Sequence, residues 1–115
     1  PKIGHNIAFE TRWTLKEFGG LLVYNWSWVG MIGAHVLDNR AGITGLKFQA
    51  FALLGVDSWD DHIKPYFVAP TPNTENRIKE VDLEQLLLYN GMDSLMEWKI
   101  GNLQRREVGF NFAKR

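Results

Sequence analysis

The protein has 115 residues, 13 basic and 13 acidic side chains, no cysteine, and a hydrophobic fraction of 45%. A chain of this length forms one domain at most, because domains usually hold roughly 100–150 residues. The lack of cysteine excludes disulfide bonds, thiolate nucleophiles, iron–sulfur clusters and cysteine-ligated zinc. No apolar run approaches the roughly 20 residues of a membrane-spanning helix, so we expect no membrane partner.

The charges are distributed unevenly along the chain. Residues 1–56 carry five basic and three acidic side chains, residues 57–97 carry three and nine, and residues 98–115 carry five and one. A zero net charge argues against nucleic-acid binding by bulk electrostatics alone. The acidic segment over residues 57–97 is either an ordinary solvated surface, which is the commoner case, or a functional cluster of carboxylates.

The first third of the sequence predicts two strand–helix pairs. A short strand runs to Asn6, a good N-cap, and Ile7–Phe18 has helical apolar spacing that ends at Gly19 and Gly20. The apolar run Leu21–Trp26 then predicts a buried strand. A second helix is expected over Val29–Leu37, where small residues permit close packing.

The rest of the sequence predicts helices separated by a long loop. Thr44 is positioned to cap a helix over Gly45–Leu54, and Gly55 ends it. Residues 56–76 contain three prolines and predict an irregular loop with at most one helical turn. A capping box at residues 82–85 predicts a helix to about residue 106, which Gly91 could kink. Because two short strands do not form a stable sheet, either residues 107–115 add a strand or neighbouring strands are missing.

Two short segments place polar side chains that could share a site. Tyr89 and Asp93 are four residues apart and therefore lie on one helix face. Asn6 follows a strand and Glu10 comes one helical turn later, at the strand end where α/β proteins present polar groups to ligands. Each pair also has a plain structural interpretation: a core tyrosine with a surface aspartate, and a helix cap with a surface glutamate.

Together, these segments resemble the second and third motifs of the 3′–5′ proofreading exonuclease domain of family A, phage-type DNA polymerases. The second motif of that family is an Asn, two or three residues, an aromatic residue and an Asp, and here residues 5–10 read His-Asn-Ile-Ala-Phe-Glu. The third is a Tyr, three residues and an Asp, and here residues 89–93 read Tyr-Asn-Gly-Met-Asp. Residues 31–38 and 45–55 resemble the two helices that lie between these motifs, so the resemblance covers roughly residues 2–104.

The resemblance implies an α/β, ribonuclease H-like exonuclease fold in which four carboxylates hold two Mg²⁺ or Mn²⁺ ions. By this resemblance Asp93 and Glu10 are metal ligands, Tyr89 orients the attacking water, and Asn6 and His5 bind substrate. The implied partners are a single-stranded 3′ end of DNA and a polymerase domain in the parent chain. The implied location is the cytoplasm of a bacterial or phage-infected cell.

The sequence departs from the family pattern in two places. The family's first motif, Asp-x-Glu on a strand, has no counterpart before Asn6, and Glu10 stands where the family has Asp. Mg²⁺ tolerates ligand shifts poorly, and a misplacement of about 1 Å can lower a rate on the order of 100-fold. A bridging water would let Glu10 serve. We therefore expect part of an exonuclease domain, with the first-motif strands missing and no significant activity from this chain alone.

Two other functions remain open: a non-catalytic domain of the same ancestry, and a related RNA-processing exonuclease. The three histidines lack the spacing of metal ligands. Three tryptophans could stack on nucleic-acid bases, although such residues more often belong to the core: Trp26, Trp28 and Trp59.

Overall fold

A computed structural model describes residues 2–109. The elements in chain order are β1 (Lys2–Gly4), α1 (Ile7–Glu17), β2 (Trp26–Val29), α2 (Gly30–Leu37), α3 (Leu46–Leu54), α4 (Lys64–Phe67), a 3₁₀ turn (Ile78–Glu80) and α5 (Leu83–Glu107). The predicted α/β class is confirmed. The expected strand in the tail falls mostly on residues 110–115, which lie outside the described residues.

The two strands pair in parallel, with Ile3 opposite Trp28. A parallel pair needs a crossover connection, and α1 supplies it. The backbone N–H of Lys2 donates to the carbonyl of Asn25 at 2.9 Å, at the end of the ladder where β2 begins. The helix predicted after Asn6 is thus confirmed as the crossover between two parallel strands.

The predicted strand over Leu21–Trp26 is wrong in position, because the second strand is Trp26–Val29. Asn25 adopts a left-handed backbone with φ of 65°, which separates the apolar run from the extended residues that follow. β1 has only three residues, and its first, Lys2, pairs with Trp26. The apolar run therefore lies beside the ladder rather than in it, with Leu22 and Tyr24 exposed at 47% and 70%.

The predicted helix caps are only partly correct. Gly55 ends α3 in the left-handed conformation, as predicted, with φ of 67°. Thr44 is not the N-cap, since α3 begins at Leu46 after Gly45. Asn6 and Asp82 occupy N-cap positions, but neither side chain makes a capping hydrogen bond. Both helices therefore begin without a side-chain cap.

The long helix α5 is continuous through Gly91 and packs against both strands, α2 and α3. Small residues permit this close approach: a Cβ atom on Gly101 would lie 2.6 Å from Cγ2 of Ile3, and one on Gly33 would lie 2.6 Å from Oε1 of Gln104. The close packing predicted for the second helix is therefore confirmed, and its partner is α5.

The hydrophobic core lies between α3 and α5. Its buried centre consists of Ala50, Met96 and Ile100, and four half-buried residues pack on it: Leu46, Val56, Trp59 and Met92. By contrast, α1 buries none of its residues among those that the structure describes. The loop predicted over residues 56–76 contains one short helix, α4, which begins after the predicted turn at residues 57–61 and has Pro65 in its first turn, a position that suits proline. None of the helices within residues 2–109 combines the length and apolarity needed to cross a membrane.

Candidate active site

The candidate site lies where β1 ends and α1 begins. Gly4 ends the strand, His5 and Asn6 form the turn, and Glu10 lies in the first turn of α1. The backbone N–H of Met31 donates to the carbonyl of His5 at 3.1 Å, which joins the end of β1 to the start of α2. His5, Asn6 and Glu10 thus follow the carboxyl end of β1, and ligands bind at this end of parallel strands in many α/β proteins.

His5 points into the protein and is only 7% exposed. Its Nε2 atom donates to the carbonyl of Thr44 at 2.7 Å, because a carbonyl can only accept. Burial lowers the pKa of His5, against the raising effects of that hydrogen bond and of Asp93, and so favours the neutral ring. A Cβ on Gly30 would lie 2.8 Å from Nδ1, so the ring also requires glycine at this position.

The two predicted substrate-binding residues are therefore placed differently. His5 holds the turn from inside, while Asn6 is exposed and its side chain makes no cap hydrogen bond to α1. The amide of Asn6 is thus presented to solvent at the helix N-terminus, beside backbone N–H groups that attract negative charge. Substrate binding by either residue stays a prediction.

Tyr89 and Asp93 lie on one face of α5, as their spacing predicts, and both are half-buried. The indole Nε1 of Trp59 donates to Oδ1 of Asp93 at 2.8 Å. The ring of Tyr89 contacts that of Phe67, with centroids 5.5 Å apart. Asp93 is therefore a hydrogen-bonded carboxylate rather than a free surface one, while Tyr89 packs against an aromatic ring of α4.

Lys47 joins this pair from α3. Its Nζ atom lies 3.4 Å from Oδ2 of Asp60 and about equally far from two aromatic rings, 5.3 Å from the centroid of Tyr89 and 5.5 Å from that of Trp59. Burial disfavours the charged form of Lys47, but attraction to Tyr89, Asp93 and Asp60 outweighs it and raises the pKa of the ammonium group. A positive charge thus lies beside Tyr89 and Asp93.

Glu97 is a site residue that the sequence analysis missed. Burial raises the pKa of its carboxyl group to about 7, repulsion from Glu10 and Asp93 adds to the effect, and a hydrogen bond from the backbone N–H of His5 opposes it. The signal was present in the sequence, because Tyr89, Asp93 and Glu97 recur at four-residue spacing on one helix face. Glu97 interacts with both predicted metal ligands, so α1 and α5 bring their carboxylates into one region.

The donor chemistry of this region suits a hard divalent cation, because carboxylate oxygens are the ligands that Mg²⁺ prefers. Oε2 of Glu10 is buried and has no hydrogen-bond partner among the described residues. The repulsion felt by Glu97 indicates surplus negative charge that a cation would relieve. Even so, no three His, Asp or Glu side chains within residues 2–109 are arranged to hold a metal ion by themselves.

An Asp-x-Glu sequence does occur at Asp82 and Glu84, with the spacing of the family's first motif. Both residues are exposed at the start of α5 rather than on a strand. They therefore do not correspond to the first motif in structural context.

In comparisons with known proteins, no family, curated protein or solved structure matches this chain.

Proposed function

We propose that this chain forms part of a 3′–5′ exonuclease domain of ribonuclease H-like fold, which hydrolyses phosphodiester bonds at DNA 3′ ends and proofreads for a DNA polymerase. One observation carries the proposal: Glu97 of α5 accepts a hydrogen bond from the backbone N–H of His5, and the charges of Glu10 and Asp93 both raise the pKa of its carboxyl group. The two motif-like segments are therefore close in space, as a shared site requires.

In the proposed mechanism Asp93 and Glu10 would help to hold a divalent cation, together with carboxylates from outside residues 2–109. Bound Mg²⁺ or Mn²⁺ would supply an activated water and neutralise charge on the scissile phosphate. The buried, unpartnered Oε2 of Glu10 and the carboxylate of Asp93, whose Oδ1 accepts from the Trp59 indole, are the donors that the described residues offer.

Tyr89 would orient the attacking water. Burial raises the pKa of its phenol, the negative charge of Asp93 adds to this effect, and Lys47 opposes it. The phenol is therefore protonated near neutral pH and can both donate and accept a hydrogen bond. Asn6, exposed at the start of α1, would contact the 3′-terminal nucleotide.

The first test is the reading frame immediately upstream. The proposal requires an Asp-x-Glu pair on a strand-like segment there, and a frame without one would refute an active nuclease. The second test assays the polypeptide extended through that segment on 3′-labelled single-stranded DNA with Mg²⁺ or Mn²⁺. Asp93→Ala should abolish cleavage, whereas Asp57→Ala, which alters an exposed carboxylate elsewhere, should leave it unchanged.

Glu10 favours a second candidate function, a non-catalytic structural or DNA-binding domain of the same ancestry, because the longer side chain stands where the family has Asp. That candidate predicts metal-independent DNA binding without turnover in the same assay. A parallel assay on single-stranded RNA separates both from an RNA-processing exonuclease, which would cleave RNA in preference to DNA.

A further inference from the structure

We propose that Trp59 is a positioning residue for Asp93: its indole N–H holds one carboxylate oxygen so that the other faces the metal site. This inference rests on the proposed function and deepens it, since Trp59 belongs to neither motif segment. The indole Nε1 of Trp59 donates to Oδ1 of Asp93 at 2.8 Å, a contact between residues 34 positions apart.

The direction of this hydrogen bond is fixed by packing. The Trp59 ring lies against the core formed by Ala50, Met96 and Ile100, in contact with residues of both α3 and α5. A ring packed in this way has few alternative rotamers. The packing of the ring therefore holds its N–H toward Asp93, as expected of a group that orients a metal ligand.

Lys47 of α3 makes a second contact with Trp59. Lys47 lies 5.5 Å from the centroid of the Trp59 ring, and its Nζ is 3.4 Å from Oδ2 of the adjacent Asp60. Asp60 is 5% exposed and also accepts a hydrogen bond from the Ser58 hydroxyl at 2.6 Å. Asp60, the residue after Trp59, thus joins this segment to α3 through its ion pair with Lys47.

Oδ1 of Asp93 accepts from the indole, and the carboxylate also interacts with the Tyr89 phenol, so Oδ2 is assigned to the cation. An Asp side chain without this hydrogen bond rotates more freely, so a cation must order it on binding. Loss of the indole N–H should therefore lower the affinity for the metal ion more than it lowers the stability of the fold. Residues that orient metal ligands typically contribute about 10–100-fold in metal affinity or activity.

The first experiment tests the contact in the 115-residue chain by ¹H–¹⁵N NMR of the indole signals. Trp59→Phe identifies the Trp59 signal by its loss. Asp93→Ala should shift that signal and leave the signal of Trp98, which is 59% exposed, in place. An unmoved Trp59 signal would overturn the inference.

The second experiment measures exonuclease activity of the extended polypeptide as a function of Mg²⁺ concentration. Trp59→Phe keeps the ring and removes only the N–H. It should raise the Mg²⁺ concentration for half-maximal activity about 10-fold or more, with little change in melting temperature. Trp98→Phe is the matched control and should match the wild type. An unchanged Mg²⁺ dependence in Trp59→Phe would overturn the positioning role.

Failure of the proposed function can be told apart from failure of the positioning role, because the activity of the unmutated polypeptide and its dependence on Asp93 are measured first. If there is none, the proposed function falls and the positioning role falls with it, even where the NMR contact is found. If activity is present and Trp59→Phe lowers it only in proportion to a lowered melting temperature, the role is structural and the inference alone is refuted.

Discussion

The indole Nε1 of Trp28 donates a hydrogen bond to Oε1 of Gln104 at 2.9 Å, between residues 76 positions apart. The amide nitrogen of Gln104 donates in turn to the carbonyl of Gly30 at 3.1 Å, and the side chain is fully buried. One glutamine near the end of α5 thus binds both β2 and the first residue of α2.

Gln104→Leu should destabilise the fold, because it keeps the side-chain volume but removes the side-chain donor to the Gly30 carbonyl and this acceptor of the Trp28 indole. The expected loss is about 2–3 kcal/mol in the free energy of unfolding, measured by urea denaturation. Gln85→Leu, on the exposed part of the same helix, is the control and should change it by no more than about 0.5 kcal/mol. Equal midpoints for the two variants would contradict this account.

Two glycines of α5 should respond in opposite directions to the same substitution. Gly101→Ala places a methyl group 2.6 Å from Cγ2 of Ile3 and should destabilise the protein by about 1–3 kcal/mol. Gly91→Ala meets nothing within 4 Å and should stabilise it by about 0.5–1 kcal/mol through helix propensity. Thermal unfolding of both variants checks the pair, and a stabilising Gly101→Ala would refute the close packing of α5 on β1.

Glu97 should make stability fall as the pH rises. The pKa of its carboxyl is about 7 in the folded protein, above its ordinary value of 4.5, so the unfolded state ionises first. Stability should decline between these two values and level off above pH 7, by about 1 kcal/mol once solvent screening is allowed for.

Glu97→Gln should remove that decline, because glutamine still accepts from the His5 backbone but carries no charge. The variant should match the wild type at pH 4.5 and be more stable at pH 8, as measured by denaturant unfolding at each pH. Glu84→Gln, at an exposed position of α5, is the control. If the stability of Glu97→Gln declined with pH as much as that of the wild type, a group other than Glu97 would be the cause.

Glu10→Asp tests the departure from the family's second motif. Shortening the side chain restores the family residue and should raise Mg²⁺-dependent cleavage by the extended polypeptide on the order of 10-fold. Glu10→Gln, which keeps the length and removes the charge, should abolish it. A loss of activity in Glu10→Asp would instead show that the site is built for the longer carboxylate.

The sequence predicted those elements whose signals are local. The crossover helix α1, the left-handed Gly55 and the helix from residue 83 to 107 follow from apolar spacing and glycine placement. The second strand was misplaced because apolarity alone does not set register: Lys2 pairs with Trp26, and the left-handed Asn25 precedes it. Hydrogen bonds to a three-residue partner strand decided which residues became extended.

The candidate site shows the same division. Helical periodicity alone placed Tyr89 and Asp93 on one face, since a spacing of four residues is about one turn. The indole of Trp59 on Asp93, the position of Lys47 between two aromatic rings and the raised pKa of Glu97 depend on packing between segments distant in sequence. Sequence fixes which groups share a helix face, whereas burial and charge–charge distances exist only once the helices pack.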